Sequence, residues 1–120
     1  RLLFPGAPTM GQTNPAGPIW QSLILEAILT FILMLVILGV SSGSREKGLM
    51  AGIAVGGVVA LEALFAGPVC GASMNPARSL GPALAAADLG SLWIYLIGPV
   101  FGALCAVPAH RLLKEDGRSV

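Results

Sequence analysis

The residues best suited to chemistry lie in one run, Gly71-Ala72-Ser73-Met74-Asn75-Pro76-Ala77-Arg78-Ser79-Leu80-Gly81-Pro82. Asn75 is a preferred helix N-cap residue, and Pro76 suits the first helical position, where its missing N–H costs nothing. A helix is therefore expected to begin at Asn75. Its tip would present unpaired backbone N–H groups and a positive dipole end of roughly half a charge. Inside a membrane, such a tip donates hydrogen bonds to a neutral solute and raises the energy of any cation on the same path, a hydrated proton included. Arg78, one turn further on, would cost about 2.5 to 3.5 kcal/mol at the centre of a bilayer. It is expected to face protein or water.

Two carboxylates, Glu26 and Glu62, interrupt apolar stretches, where an acid is expected to be paired or functional. Other reactive types are sparse. Ser, Cys and the single His110 show no spacing of a nucleophile with its base, and no Cys/His cluster has the spacing of a metal site, so neither enzyme chemistry, nor a metal, nor a cofactor is expected. Cys70 and Cys105 read as packed free thiols, and His110 as a side chain interacting with a helix C-terminal dipole. Asn14-Pro15-Ala16 repeats the tripeptide at 75–77 without the following Arg, and reads as a turn before a helix.

The elements that must position these residues follow from the apolar runs. A bilayer crossing takes about 20 residues. Runs of that kind extend over 19–40, 49–66 and 92–113, the first broken by Gln21, Glu26 and Thr30, the second by Glu62. Trp93 and Tyr95 suit an interfacial belt at the start of the third. Between the second and third runs, 67–73 reads as a loop and 75–87 is long enough for only about three helical turns. Irregular backbone at membrane depth must be shielded by protein or line a wet cavity, so 67–87 is expected to re-enter the membrane as a half-helix. Residues 1–18 form a lead-in loop and 114–120 a tail.

Of the 120 residues, 55% are hydrophobic and 11% charged, with a net charge of +1. A soluble domain carries about a quarter charged residues, so the bilayer is the expected solvent and nucleic acid is not an expected partner. Basic residues at Arg45 and Lys47, and from His110 to Arg118, place the first inter-helix turn and the tail on the cytoplasmic side. Gly52/Gly56 and Gly98/Gly102 present small faces for close helix packing. The fold expected is all-α: three transmembrane helices plus one re-entrant half-helix, as in one member of an inverted repeat. No signal peptide is discernible, and with Arg1 in first place the start of the protein is expected to be missing.

The run at 71–82, with Glu26, Gly67-Pro68-Val69, Trp93-Ile94-Tyr95 and Gly98-Pro99, resembles the C-terminal half of the aquaporin, or major intrinsic protein, family. The likeness extends over nearly all of 19–113. It implies a right-handed helical bundle in which two Asn-Pro-Ala half-helices meet at mid-membrane, the other coming from an N-terminal repeat absent here. The resemblance assigns Asn75, Pro76 and Ala77 to the pore motif and Arg78, Ala63 and Ala72 to the selectivity filter. The carbonyls of Cys70, Gly71, Ala72 and Ser73 become an acceptor ladder, and Glu26 a support for the loop. Ala63 falls where water-selective members place a His, which implies a wider, less polar filter, as in glycerol-conducting and nodulin-like members. A homotetramer in the cell membrane, conducting water and small neutral solutes, is also implied. Glu62 receives no role from the resemblance and is left with a subunit interface or a hydrophilic vestibule. The rival reading is one repeat of an ion-coupled secondary transporter, which also uses broken helices at mid-membrane.

Overall fold

The computed structural model describes residues 2–3, 5–41 and 45–116, without the side chains of 45–49 and 115–116. The cytoplasmic signal read from Arg45, Lys47 and Arg118 thus lies outside the described side chains. Four helices follow one another: α1 (Ile19–Ser41), α2 (Arg45–Cys70), α3 (Pro76–Ala86) and α4 (Leu92–Asp116). There is no strand among the described residues. Ile19–Ser41, Met50–Cys70 and Leu92–Lys114 are long and apolar enough to cross a membrane. The 11 residues of α3 rise only about 16 Å, half of a hydrocarbon layer about 30 Å thick.

Several boundaries differ from the sequence reading, among them the start of α2, which is at Arg45 and not at 49. The loop expected over 67–73 is shorter, because α2 runs on through Pro68 to Cys70. A proline this near a helix end removes one amide donor and leaves one carbonyl free, which the last turn tolerates. Gly71 N then bonds Gly67 O at 2.9 Å and completes that turn. At the other end of the chain, α4 continues past 113 to Asp116.

α1 is the centre of the molecule, with α4 along one face and α2 along another, while α3 packs on α4. The α1–α4 contact depends on missing side chains. A Cβ at Gly102 would run into the carbonyl of Ala27, and one at Gly98 would come within 3.0 Å of Leu23 O. The two backbones therefore lie close, as small residues four apart permit where lipid supplies no hydrophobic drive. The other small pair behaves differently: Gly52 and Gly56 have nothing within 4 Å of a built Cβ, so that face of α2 is unpacked within this chain.

The buried face of α1 is largely polar, formed by Ser22, Glu26, Leu29 and Thr30, whereas Ile24, Ile28 and Ile32 are exposed. This inverts the soluble pattern, as suits a helix whose outer solvent is apolar. Leu29 joins Ala66, Cys70, Ala72 and Met74 in the buried core cluster. Trp93 meets Trp20 edge-on, ring centroids 6.5 Å apart. Tyr95 was read with Trp93 as a belt residue, but it is fully buried, because its hydroxyl has a partner inside the fold.

Candidate functional site

The loop between α2 and α3 is where the buried polar groups converge. Gly71, Ala72 and Met74 all have positive φ, at 86°, 42° and 53°. The two non-glycine residues store strain on the order of 1–3 kcal/mol each. Gly71 has a second constraint, since a Cβ there would stand 3.0 Å from Thr13 Cγ2 and 3.1 Å from Thr13 Cβ.

Hydrogen bonds from other elements hold this conformation. Glu26 is fully buried. Its Oε1 accepts from Ser73 N at 2.8 Å and from Cys70 Sγ at 3.3 Å, and its Oε2 accepts from Met74 N at 2.8 Å. Bonds to a charged acceptor are the stronger class, about 1.5 to 3 kcal/mol each. Tyr95 donates its hydroxyl to Cys70 O at 2.7 Å. The Cys70 carbonyl, expected as the first rung of an acceptor ladder, is thus already engaged by a buried phenol.

Asn75 is the N-cap of α3, in extended backbone. Its Oδ1 accepts from Ala77 N at 2.9 Å and Arg78 N at 3.4 Å, while its main-chain carbonyl accepts from Ser79 N at 3.4 Å. Pro76 has no amide proton. The expectation of unpaired backbone N–H groups at the tip is therefore narrowed: Asn75 takes up those of Ala77, Arg78 and Ser79 and leaves only its own main-chain N–H. Two amide donors face one side-chain atom, so that atom must be the oxygen, and Nδ2 is left as the donor group of the tip. It has no hydrogen-bond partner among the described residues, and Asn75 is exposed.

The depth of this tip follows from its neighbours. Asn75, Pro76 and Met74 line a cleft of about 230 Å³ with Thr30, Leu33, Pro99 and Ala103. Thr30 is halfway along α1, and Ala103 is near the middle of α4. The far end of α3 stays at the rim: Ala87 closes it in left-handed conformation, and Asp88 O accepts from Gln12 Nε2 at 2.7 Å. The short helix thus runs from the rim to mid-depth with its Asn75 end innermost.

The filter residues named from the resemblance differ in exposure. Arg78 is exposed and its guanidinium has no ion pair or hydrogen bond among the described residues. Ala63 is exposed on α2, apart from the loop's bonding. Ala72 is only 6% exposed and turns its methyl into the core cluster, so its side chain does not wall a path. What it can offer a solute is backbone. Glu62 is corrected too. It is 2% exposed, not at an interface or vestibule of this chain, and neither carboxylate oxygen has a partner. It continues the buried stripe of α2 formed with Ala66 and Cys70. Cys105 is exposed, contrary to a packed thiol, and Cys70 is buried.

Sequence reasoning missed the lead-in residues. Thr13 Oγ1 and Ser79 Oγ are 2.6 Å apart, Ser79 Oγ and Ser73 Oγ are 2.6 Å apart, and Ser73 Oγ donates to Asn75 O at 2.9 Å. Ala16 N also donates to Val69 O at 3.0 Å. Asn14-Pro15-Ala16 thus belongs to a strap across the loop. The available signal was the hydroxyls themselves, which cannot stay unpaired at membrane depth.

Curated proteins with matching sequences carry the same segment. Aquaporin NIP1-4 of Oryza sativa subsp. japonica is 49% identical over 119 residues, which cover 98% of this chain and 43% of that protein. Aquaporin NIP2-1 of Zea mays is 53% identical over 107 residues, 89% of this chain and 36% of that protein. Aquaporin NIP2-1 of Oryza sativa subsp. japonica is 52% identical over 107 residues, 89% of this chain and 36% of that protein. The chain thus spans well under half the length of these relatives. With three apolar spans, a short helix capped by Asn75 at mid-depth, and residues 6–110 matching the family described as major intrinsic protein, the chain belongs to the major intrinsic protein family.

Proposed function

We propose that this chain is the second half of a passive membrane channel for water and small uncharged solutes such as glycerol. The observation that carries the reading is the Asn75 tip, a capped helix end at mid-depth whose side-chain amide is free to donate while the amides of Ala77, Arg78 and Ser79 are already paired. A neutral oxygen passing Nδ2 gains a hydrogen bond. A cation gains none, and meets the positive end of the α3 dipole. Pro76 and Ala77 complete the motif. Arg78 supplies the polar wall of an outer filter, with Ala63 as its small, non-polar counterpart on α2. The carbonyls of Gly71, Ala72 and Ser73 serve as acceptors leading to Asn75, with Cys70 as the anchored end of the run. Family membership supports a complementary N-terminal half with a second Asn-Pro-Ala motif, and a homotetramer in the cell membrane.

Arg78→Ala in the full-length protein, reconstituted in vesicles, tests this. The variant is expected to pass larger or charged solutes that the parent excludes, with osmotic shrinkage that is non-saturating and independent of ion gradients. Unchanged selectivity would remove Arg78 from the filter, and saturable flux driven by a proton or sodium gradient would favour an ion-coupled transporter.

A further inference from the structure

We propose that Thr13, in the strap before α1, is a positioning residue for the pore, acting on Asn75 and Arg78 through Ser79 and Ser73. Each hydroxyl has one proton to give. Ser73 spends its proton on Asn75 O. Ser79 must then donate to Ser73, and Thr13 to Ser79, so the contacts form a chain with one direction that ends on the backbone of the cap residue. All three hydroxyl residues are buried, at 4%, 1% and 4% exposure for Thr13, Ser79 and Ser73. Water therefore does not compete for these bonds, and chained bonds strengthen one another.

The chain controls rotation of α3 about its own axis. Ser79 is the residue after Arg78, about 100° further round the helix. Pegging Ser79 inward on Thr13 therefore turns Arg78 outward, and Arg78 is indeed exposed while Ser79 is buried. Glu26 grips the loop ahead of Asn75, at the amides of Ser73 and Met74, and bonds no residue of α3 itself. The strap reaches the other end of α3 as well, through Gln12 to Asp88 O. Residues 12–16 thus set the angle at which the filter residue is presented, though they contribute no pore group themselves.

The inference rests on reading Asn75 and Arg78 as pore groups. It is tested in the full-length channel in vesicles by measuring glycerol and water permeability for Thr13→Val, which keeps shape and loses the hydroxyl, and Thr13→Ser, which keeps the hydroxyl. Thr13→Val is expected to shift the glycerol-to-water ratio roughly fivefold, the equilibrium factor of about one net hydrogen bond, and Thr13→Ser to restore it. Combined with Ser79→Ala, the effects should be non-additive. A parental ratio in Thr13→Val, even with less protein recovered, overturns the proposal, as does additivity. If Thr13→Val does not reach the membrane, Ser79→Ala cuts the same chain, and a parental ratio there is equally fatal. Parental vesicles no more permeable than protein-free ones would instead defeat the channel reading itself.

Discussion

Replacing Glu26 by Gln is the most informative single perturbation of the loop. Each carboxylate oxygen accepts one backbone amide, from Ser73 and from Met74, both at 2.8 Å. A carboxamide accepts through only one atom, so its NH2 confronts one of those N–H groups. One charge-assisted bond is lost, about 1.5 to 3 kcal/mol, and the other falls to the neutral value of about 1 kcal/mol, for a total of about 2 to 5 kcal/mol. The strain at Ala72 and Met74 is of similar size, roughly 2 to 6 kcal/mol for the two. The loop should therefore relax out of its left-handed conformations. The loss is smaller than the 5 to 15 kcal/mol that typically holds a domain together, so the spans should stay assembled. Stopped-flow shrinkage of vesicles containing the full-length Glu26→Gln channel is expected to show water permeability per molecule lower by about tenfold or more, the factor equivalent to about 1.4 kcal/mol. Parental permeability and an unchanged glycerol-to-water ratio would refute the reasoning, because the loop would then hold its shape without this acceptor.

Gly102→Ala should lower thermal stability in detergent by at least about 1 to 3 kcal/mol, the usual cost of overpacking, since its Cβ meets the Ala27 carbonyl; a stability equal to the parent would mean that α1 and α4 are not in contact there. Glu62→Gln should leave thermal stability unchanged or raise it by up to about 2 kcal/mol, because both buried oxygens lack partners; a marked loss would show that a charge at Glu62 is paired in the complete protein. Ala63→His should reduce glycerol flux more than water flux in vesicles if the proposed filter includes Ala63, by adding bulk and a polar ring there; an equal fall in both would remove Ala63 from the filter.

The spans and the cap were legible because each is written locally, in twenty-residue apolar runs and in the Asn75-Pro76 pair. Glu26 could be read as a support because an acid in an apolar run must find donors. What was not legible depends on groups meeting across sequence distance. The Thr13–Ser79 contact joins positions 66 residues apart, and no periodicity encodes it. Tyr95 was misplaced because an aromatic near a span's end has the same local signature whether it faces headgroups or reaches inward to the Cys70 carbonyl. The end of α2 was misplaced because Gly67-Pro68 is a loop signal in most settings, and only the bond from Gly71 back to Gly67 shows the turn continuing. The cap was anticipated, but not that its two oxygens would take up the amides of Ala77, Arg78 and Ser79.

The bonds from Glu26 to Ser73 and Met74 also impose an order on biogenesis. The donors lie 47 and 48 residues downstream of their acceptor. At the usual pace of synthesis, about 5 to 20 residues per second, roughly 2 to 10 s separate the emergence of the two sides. Throughout that interval the first span has an acid on its inward face and no amides to receive it, which costs a few kcal/mol, about 2.5 to 3.5 on insertion scales. The arrival of the half-helix removes that cost, so the first span gains its full stability only when the loop of the later segment closes on it.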